Sequence, residues 1–303
     1  MTLTEASLML LMITLYSFQS FCCKKYTDCY AGAPEMASPV FTAVSGVTVV
    51  FITLCFMGFR FEAQWQTVLV GLLNASAITG YNYFIVKCSQ TGPYTVLMVF
   101  AIAGDIIIPT VAALVGFGVG LSWLKWIGVL IVIGGVYLGS YRKESGSANL
   151  RVFIPACIGL AICNGAYAAL TDIQQRLTGV DEKEELVCIT YFAAAVASFV
   201  MILIRRRGRL SCFKQTKLSF TFLMITSVIV GMAINLLVFI IPLLNDITLL
   251  HAVNDSGILV LSAVLSFVFL KERINKLNIV GYAIMCVALV LVTFGDIWVG
   301  YAG

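Results

Sequence analysis

The stretch Pro93-Tyr-Thr-Val-Leu-Met-Val-Phe-Ala-Ile-Ala-Gly-Asp-Ile-Ile-Ile-Pro-Thr-Val-Ala-Ala-Leu-Val-Gly116 decides the fold class. It is predominantly apolar over 24 residues, which as an α-helix is long enough to cross the roughly 30 Å hydrocarbon core of a bilayer. One acid, Asp105, interrupts it about 18 Å from Pro93 at a rise of about 1.5 Å per residue. A charge at that depth is costly, and where it occurs it usually marks a substrate or ion path.

Similar apolar runs recur along the whole chain and predict an all-α polytopic membrane protein. The 303 residues are 60% hydrophobic and 11% charged, whereas an ordinary soluble domain is about 25% charged. A water-soluble fold could not bury this much apolar surface, so the bilayer is the expected solvent. The runs are long and continuous, which favours helices over strands. We predict ten transmembrane helices, at 6–22, 39–59, 65–86, 93–116, 123–141, 152–171, 186–204, 218–241, 247–270 and 277–295.

The polar segment 142–151 is a linker that divides the chain into two halves related by an internal repeat. We expect a first five-helix repeat at 1–141 and a second at 152–303. A shift of 153 residues places Asn82 on Asn235, and the same register holds over three helices in each half. Because five is an odd number, the two copies have opposite orientations in the membrane. Such inverted repeats are typical of secondary transporters, whose substrate site lies between the halves near the midplane.

The basic residues predict how the chain is oriented. Fifteen of the nineteen Lys and Arg residues fall in or near the connections after helices 1, 3, 5, 7 and 9. The positive-inside rule then places these connections in the cytoplasm and both termini outside. The segment 205–209 (Arg-Arg-Arg-Gly-Arg) is expected to be a cytoplasmic anchor, whereas 181–185 is expected to be a solvated loop on the other side. We expect a multi-pass integral protein of the plasma (inner) membrane.

The last fifty residues resemble the end of an EamA-type protein of the drug/metabolite transporter superfamily. The stretch Val268-Phe-Leu-Lys-Glu-Arg-Ile-Asn-Lys-Leu-Asn-Ile-Val-Gly281 is similar to that family's helix 9, its Glu-Arg turn and the opening of its helix 10. The first-half counterpart, Leu121-Ser-Trp-Leu-Lys-Trp-Ile-Gly128, lacks the Glu-Arg turn. With ten helices and two repeats, the resemblance spans essentially the whole chain.

The resemblance implies secondary transport of a small organic solute by alternating access. It leaves the solute open, because the superfamily moves amino acids, sugars, nucleotide derivatives, choline-like cations and drugs. Helix 1 lacks the mid-membrane Glu of the small multidrug exporters, since its one acid, Glu5, stands at the edge. The proton-coupled mechanism of those exporters is therefore not implied for this chain.

Helix 9 carries the densest group of candidates for substrate binding or proton coupling. His251, Asn254 and Asp255 stand at positions i, i+3 and i+4, so they share one helix face. Asp255 lies about 12 Å past Ile247, close to mid-membrane like Asp105. Burial disfavours a charged carboxylate and a nearby cation favours it, so a proton and a cationic group can compete for either acid. Each acid can instead be neutralised by a packed partner, as His251 would do for Asp255.

Polar residues of other helices complete the candidate set. Asn82 and Asn235 are repeat partners that either bind substrate or hydrogen-bond a neighbouring helix. The further candidates are Tyr81 and Tyr83, which flank Asn82, together with Gln19, Asn164 and Tyr167. The glycines expected to permit close contact between helices are Gly104, Gly128, Gly134, Gly135 and Gly257.

The sequence favours a transporter over an enzyme. It contains no P-loop, GxSxG, HExxH or Cys/His cluster, and its ten cysteines are scattered, so no catalytic site, metal or cofactor is expected. Two buried acids without a buried Lys or Arg favour a cationic or zwitterionic metabolite or drug, with protons as a candidate coupling ion. No nucleic-acid partner is expected. The alternatives are a membrane-embedded transferase or lipid-handling enzyme, and a non-transporting membrane sensor or partner subunit.

Overall fold

A computed structural model describes residues 3–117, 122–140, 150–178, 182–206, 215–240, 247–272 and 275–299, and this part of the chain is helical. In chain order the helices are α1 (Leu3–Cys29), α2 (Pro34–Phe56), α3 (Trp65–Thr91), α4 (Tyr94–Phe117), α5 (Trp123–Ser140), α6 (Leu150–Thr178), α7 (Lys183–Arg206), α8 (Lys217–Ile240), α9 (Ile247–Leu265) and α10 (Lys276–Val299). A π-helical turn at Ser266–Leu270 extends α9. Most of the predicted linker, 142–149, and most of the basic anchor, 207–209, lie outside the described residues.

Within the described residues, eight helices are long and apolar enough to cross a membrane, which indicates a polytopic membrane protein. These are α1 to α4 and α6 to α9, the last together with its π-helical turn. The apolar parts of α5 and α10 are shorter, at Trp123–Gly139 and Lys276–Val292. Large apolar side chains such as Leu69, Phe192 and Val260 are exposed on the outside of the bundle. Lipid would cover such side chains, so the exterior suits a bilayer as solvent.

The helix α1 continues beyond its predicted end at residue 22. Polar residues of its last two turns find partners that hold the helical conformation. Lys24 forms an ion pair with Asp28 four residues on (3.2 Å), and the Tyr26 hydroxyl donates to the Ala37 carbonyl of α2 (2.8 Å). Hydropathy alone could not locate this end, because the helix extends past its apolar run.

Helices of the first half pack mainly against helices of the second half. The helix α5 lies along α10, and α2 lies along α7. The helices α3 and α4 contact α6, and their counterparts α8 and α9 contact α1 in the same way. The contacts of α3 with α7 and of α4 with α5 likewise match those of α8 with α2 and of α9 with α10. These main contacts are preserved when each helix is exchanged with the one five places away in the chain.

Glycines permit the closest approaches between helices. On α4, a Cβ added at Gly104 would overlap the Ala161 carbonyl of α6, and one added at Gly165 of α6 would overlap the Gly104 carbonyl. On α10, a Cβ added at Gly281 would collide with the Gly139 backbone of α5. Gly134 is different, because among the described residues no atom outside its own helix lies within 4 Å of such a Cβ. The predicted contact role therefore fails for Gly134, which has open space at its side, and is confirmed for the other four glycines.

We expect Gly104→Ala to destabilise the protein by about 1–3 kcal/mol, because the obstructing atoms belong to the backbone of α6 and cannot rotate away. The matched control is Gly134→Ala, which should be neutral or stabilising by up to about 1 kcal/mol through helix propensity. Thermal unfolding of both purified variants in one detergent measures the difference. Equal melting temperatures would contradict the close α4–α6 contact.

Glu272 joins the end of α9 to the start of α4. Lys271 adopts a left-handed conformation (φ 54°) that turns the chain after the π-helical turn. The Glu272 carboxylate then accepts hydrogen bonds from the backbone N–H of Tyr94 (2.7 Å) and from the N–H (3.3 Å) and hydroxyl (3.1 Å) of Thr95. The Ser266 hydroxyl is a further donor, at 2.6 Å. An acid at the first turn of α4 also complements the helix dipole.

Glu182 makes a similar connection at the opposite end of the bundle, where α3 begins. Its carboxylate accepts from the Gln64 N–H (3.1 Å) and from the Thr67 hydroxyl. Glu182 is only 7% exposed, and α7 already begins at Lys183. The expectation of a solvated loop at 181–185 is therefore wrong for the described residues 182–185, because capping α3 buries the acid and the following residues are helical.

We expect Glu272→Ala to lower the free energy of unfolding by about 1–3 kcal/mol, because Tyr94 and Thr95 lose the acceptor for their buried N–H groups. The exposed Glu62 offers a matched control, and Glu62→Ala should change stability by less than about 0.5 kcal/mol. Thermal unfolding again provides the measurement. A Glu272→Ala variant as stable as the control would show that this cap contributes nothing.

Candidate functional site

A cavity of about 420 Å³ lies between the two halves of the chain. Its walls come from α1, α3 and α4 of the first half and from α6, α7, α8 and α9 of the second. The volume is within the range of roughly 300–1,000 Å³ that is usual for small-molecule sites. The cavity is large enough for a metabolite-sized ligand.

Both acids that the sequence predicts at mid-membrane line this cavity. Asp105 comes from α4 and Asp255, only 8% exposed, comes from α9. Because the two carboxylates share one cavity, they repel each other when both are ionised. Pro109 stands four residues after Asp105 and has no N–H, so it cannot give the Asp105 carbonyl its usual helical hydrogen bond. The site therefore concentrates oxygen acceptors in an apolar surrounding.

Three amide side chains stand beside the acids. Asn254 donates through Nδ2 to Asp255 Oδ1 (3.1 Å), and Asn164 of α6 donates through Nδ2 to the Ala101 carbonyl of α4 (3.0 Å). Gln19 of α1 also lines the cavity. Among the described residues, the buried oxygens Oδ1 of Asn254 and Oε1 of Gln19 have no hydrogen-bond partner.

Tyrosines supply much of the remaining wall. Tyr81 and Tyr167 were candidates from the sequence, and the structure adds Tyr16 of α1 and Tyr191 of α7. Sequence reasoning missed Tyr16, although it stands three residues before Gln19 and therefore shares its helix face. Nothing local to the sequence marks Tyr191. These rings give the cavity an apolar surface with hydroxyl groups that can donate or accept.

A buried layer centred on Tyr94 lies beyond the cavity lining, on the side where α4 begins. The Tyr94 hydroxyl lies 3.2 Å from the Ser17 carbonyl oxygen of α1 and 3.3 Å from Ser262 Oγ of α9. Tyr94 and Ser17 are 0% exposed and Ser262 is 1% exposed. Glu272, which holds the Tyr94 N–H, lies at the same end. We call Ser17, Tyr94 and Ser262 the floor of the cavity.

The opposite end of the cavity reaches the ends of helices. Asp172, in the last two turns of α6, and Lys183, the first residue of α7, both belong to its lining. The connection between α6 and α7 is on the side where α4 ends, whereas the floor is on the side where α4 begins. The cavity is therefore asymmetric, with a closed floor on one side and charged helix ends on the other.

Seven of the eleven candidates from the sequence come together at this cavity: Gln19, Tyr81, Asp105, Asn164, Tyr167, Asn254 and Asp255. Asn82 is buried but does not belong to the lining. Tyr83 is 44% exposed and packs against Phe84, with ring centroids 5.2 Å apart. Tyr83 follows Tyr81 by two residues, about 200° around a helix, so the two rings face different ways. The His251 side chain lies outside the described part of α9.

Asn235 bonds to a neighbouring helix and lies outside the cavity. Its Nδ2 is 2.9 Å from Thr53 Oγ1 of α2 and 2.8 Å from the Gly231 carbonyl one turn earlier. Of the two alternatives for this residue, the geometry fits the structural one, a polar bridge between helices. Within the described residues, no group of three or more His, Cys, Asp or Glu side chains could hold a metal ion.

We expect Asn235→Ala to lower the free energy of unfolding by about 1–2 kcal/mol, because Thr53 loses its partner. The apparent affinity for any transported solute should stay unchanged, since the side chain does not reach the cavity. Thermal unfolding and the concentration dependence of uptake measure the two effects. A selective loss of affinity at full stability would place Asn235 in the site after all.

Comparisons with known proteins inform the fold alone. No family model matches the sequence, and no curated protein matches it. A solved structure described as "Crystal structure of protein" matches over 99% of this chain and 99% of its own, with a TM-score of 0.66 and 14% sequence identity. At this identity the likeness shows that another protein adopts the same helical arrangement. The resemblance to EamA-type transporters therefore rests on the sequence motifs.

Proposed function

We propose that this protein is a secondary active transporter of a small organic solute, of EamA type, in which two five-helix halves alternate access to the shared cavity. The observation that carries the proposal is the cavity itself, with one mid-membrane carboxylate from each half. Intramembrane acids that face a cavity usually serve a substrate or ion path. A cleft between related halves is the usual site in secondary transporters.

The helix contacts support two inverted repeats of five crossings each. The main contacts are preserved when each helix is exchanged with the one five places away, as a two-fold relation between the halves requires. The helices α5 and α10 are each other's main partners in this scheme. Their shorter apolar stretches would complete ten crossings, which puts both termini on one side of the membrane.

A cationic or zwitterionic solute fits the charges of the cavity. Asp105, Asp255 and Asp172 belong to the lining, whereas Lys183 is the one basic residue in the described lining and stands at a helix end. An anion would meet two repelling carboxylates at mid-membrane. A proton that neutralises either acid would compete with a cationic solute, so protons are a candidate coupling ion.

The floor of the cavity suggests which parts must move. Tyr94 connects α1 and α4 of the first half to α9 of the second. Release of a solute toward that side requires Tyr94 to separate from Ser262, while the opposite end closes over Asp172 and Lys183. Rocking of one half against the other would exchange these two arrangements.

A membrane-embedded transferase or lipid-handling enzyme fits less well. Such an enzyme needs its polar catalytic groups near the membrane surface, often as metal-binding acids. Here Asp105 and Asp255 lie deep between the halves. A sensor or partner subunit would bind a solute without moving it, and the transport experiment distinguishes this alternative from a transporter.

The test measures uptake into proteoliposomes that contain the purified protein. A mixture of metabolites and drugs is added outside, and mass spectrometry identifies the solutes that accumulate inside. We expect Asp255→Asn and Asp105→Asn each to lower uptake at least tenfold while the protein stays folded, because the amide keeps the shape and removes the charge. Asp28→Asn is the matched control, since Asp28 lies outside the cavity and pairs with Lys24. Unchanged uptake in Asp255→Asn would refute this assignment, and binding without uptake would favour the sensor.

A further inference from the structure

Two polar atoms of residues that line the cavity lack hydrogen-bond partners. The amide oxygens Oε1 of Gln19 and Oδ1 of Asn254 are buried without a partner among the described residues, and Asn254 is only 8% exposed. The carboxylates of Asp105 and Asp255 share the same cavity. Buried polar atoms in folded proteins nearly always have partners. A bound molecule with N–H or O–H groups would supply partners to the two amide oxygens.

The orientation of the Asn254 amide follows from its neighbour. Its Nδ2 donates to Asp255 Oδ1 at 3.1 Å. A flipped amide would set its oxygen against the carboxylate oxygen, and two acceptors would then face each other without a hydrogen. The carboxylate thus keeps the amide oxygen turned away from itself, and that oxygen is buried without a partner among the described residues. Asn164 likewise uses its Nδ2 on the Ala101 carbonyl (3.0 Å), so that donor is already engaged.

The two amide acceptors restrict the chemistry of the ligand more than the two carboxylate charges alone do. The two carboxylates require a positive charge, and the two amide oxygens require N–H or O–H donors. A quaternary ammonium ion supplies the charge but carries no N–H bond. It would leave both amide oxygens unpaired, which costs roughly tenfold or more in affinity for each. The rings of Tyr16, Tyr81 and Tyr167 suit the apolar body of an organic cation.

We propose that the cavity binds a small organic ammonium ion that carries N–H bonds, and that it selects primary amines against quaternary ammonium ions of similar size. This specificity narrows the solute of the proposed transporter and rests on that function for its biological meaning. Asp105 and Asp255 hold the charge, and Gln19 and Asn254 recognise the N–H groups.

The test compares three probes that share one ring: benzylamine, benzyltrimethylammonium and the neutral benzyl alcohol. Binding is measured by isothermal titration calorimetry on the full chain in lipid nanodiscs, with empty nanodiscs subtracted for partition into lipid. Benzylamine should bind at least tenfold more tightly than benzyltrimethylammonium, and benzyl alcohol should not bind measurably. Asp255→Asn should remove the binding of both cations.

The variant that isolates N–H recognition is Gln19→Met, which keeps the side-chain length, removes the amide and leaves the Asn254–Asp255 hydrogen bond in place. It should weaken benzylamine about tenfold and leave benzyltrimethylammonium within about twofold. Asn254→Leu makes a second test from α9, in which both cations weaken because Asp255 loses a donor, and benzylamine weakens about tenfold further. Melting temperature and size-exclusion profile report folding.

Three results would overturn the amine specificity: equal or tighter binding of the quaternary ion, equal weakening of both cations in Gln19→Met, or no benzylamine binding by the folded protein at millimolar concentration. Transport is scored separately. If benzylamine binds selectively but never accumulates in proteoliposomes, the specificity stands and the transport function fails. If another solute is carried in an Asp255-dependent way and benzylamine does not bind, transport stands and the specificity fails.

Discussion

The structure depends on the cost of keeping two carboxylates inside an apolar bundle. An ionised acid removed from water costs on the order of several kcal/mol unless charges or hydrogen bonds compensate it. The Asn254 amide bonds to Asp255, and the one basic residue of the described lining, Lys183, stands at a helix end. In the proposed transporter, the remaining compensation comes from a proton or a cation that enters the cavity. The same pair of acids would then bind the solute in one state and a proton in the other.

The fold keeps the two acids in one cavity by close contacts elsewhere. Gly104 lets α4 approach α6 at the level of Asp105, so the acid is positioned by backbone contact rather than by a flexible side chain. Glu272 and Glu182 connect the halves at opposite ends, and Tyr94 closes the floor. These contacts are local and polar, so each can break without exposing the apolar core. Such a bundle can rock while its helices stay intact.

The sequence was sufficient to predict an all-helical membrane protein, because hydropathy sets helix length. It also singled out Asp105 and Asp255, which the structure brings into one cavity, because a deep acid is rarely accidental. It could not fix how each helix is rotated, since lipid-facing and protein-facing sides are both apolar. Tyr16 and Tyr191 were therefore missed, and Asn235 and Tyr83 were grouped with residues that they do not meet. The buried cap Glu182 looked like part of a solvated loop, because its partners lie more than 100 residues earlier in the chain.

The most direct test of the account is accessibility from the two sides of the membrane. Single cysteines at Ala168, in the cavity wall, and at Ser262, in the floor, would be introduced into a chain whose native cysteines are replaced. A membrane-impermeant maleimide would then be applied from either face of sealed vesicles. Alternating access predicts that Ala168→Cys reacts only from the side where α6 ends and that Ser262→Cys reacts only from the other side. Conditions that raise the reaction rate of one cysteine should lower the reaction rate of the other. Both cysteines reacting from one face, or at rates independent of each other, would contradict alternating access.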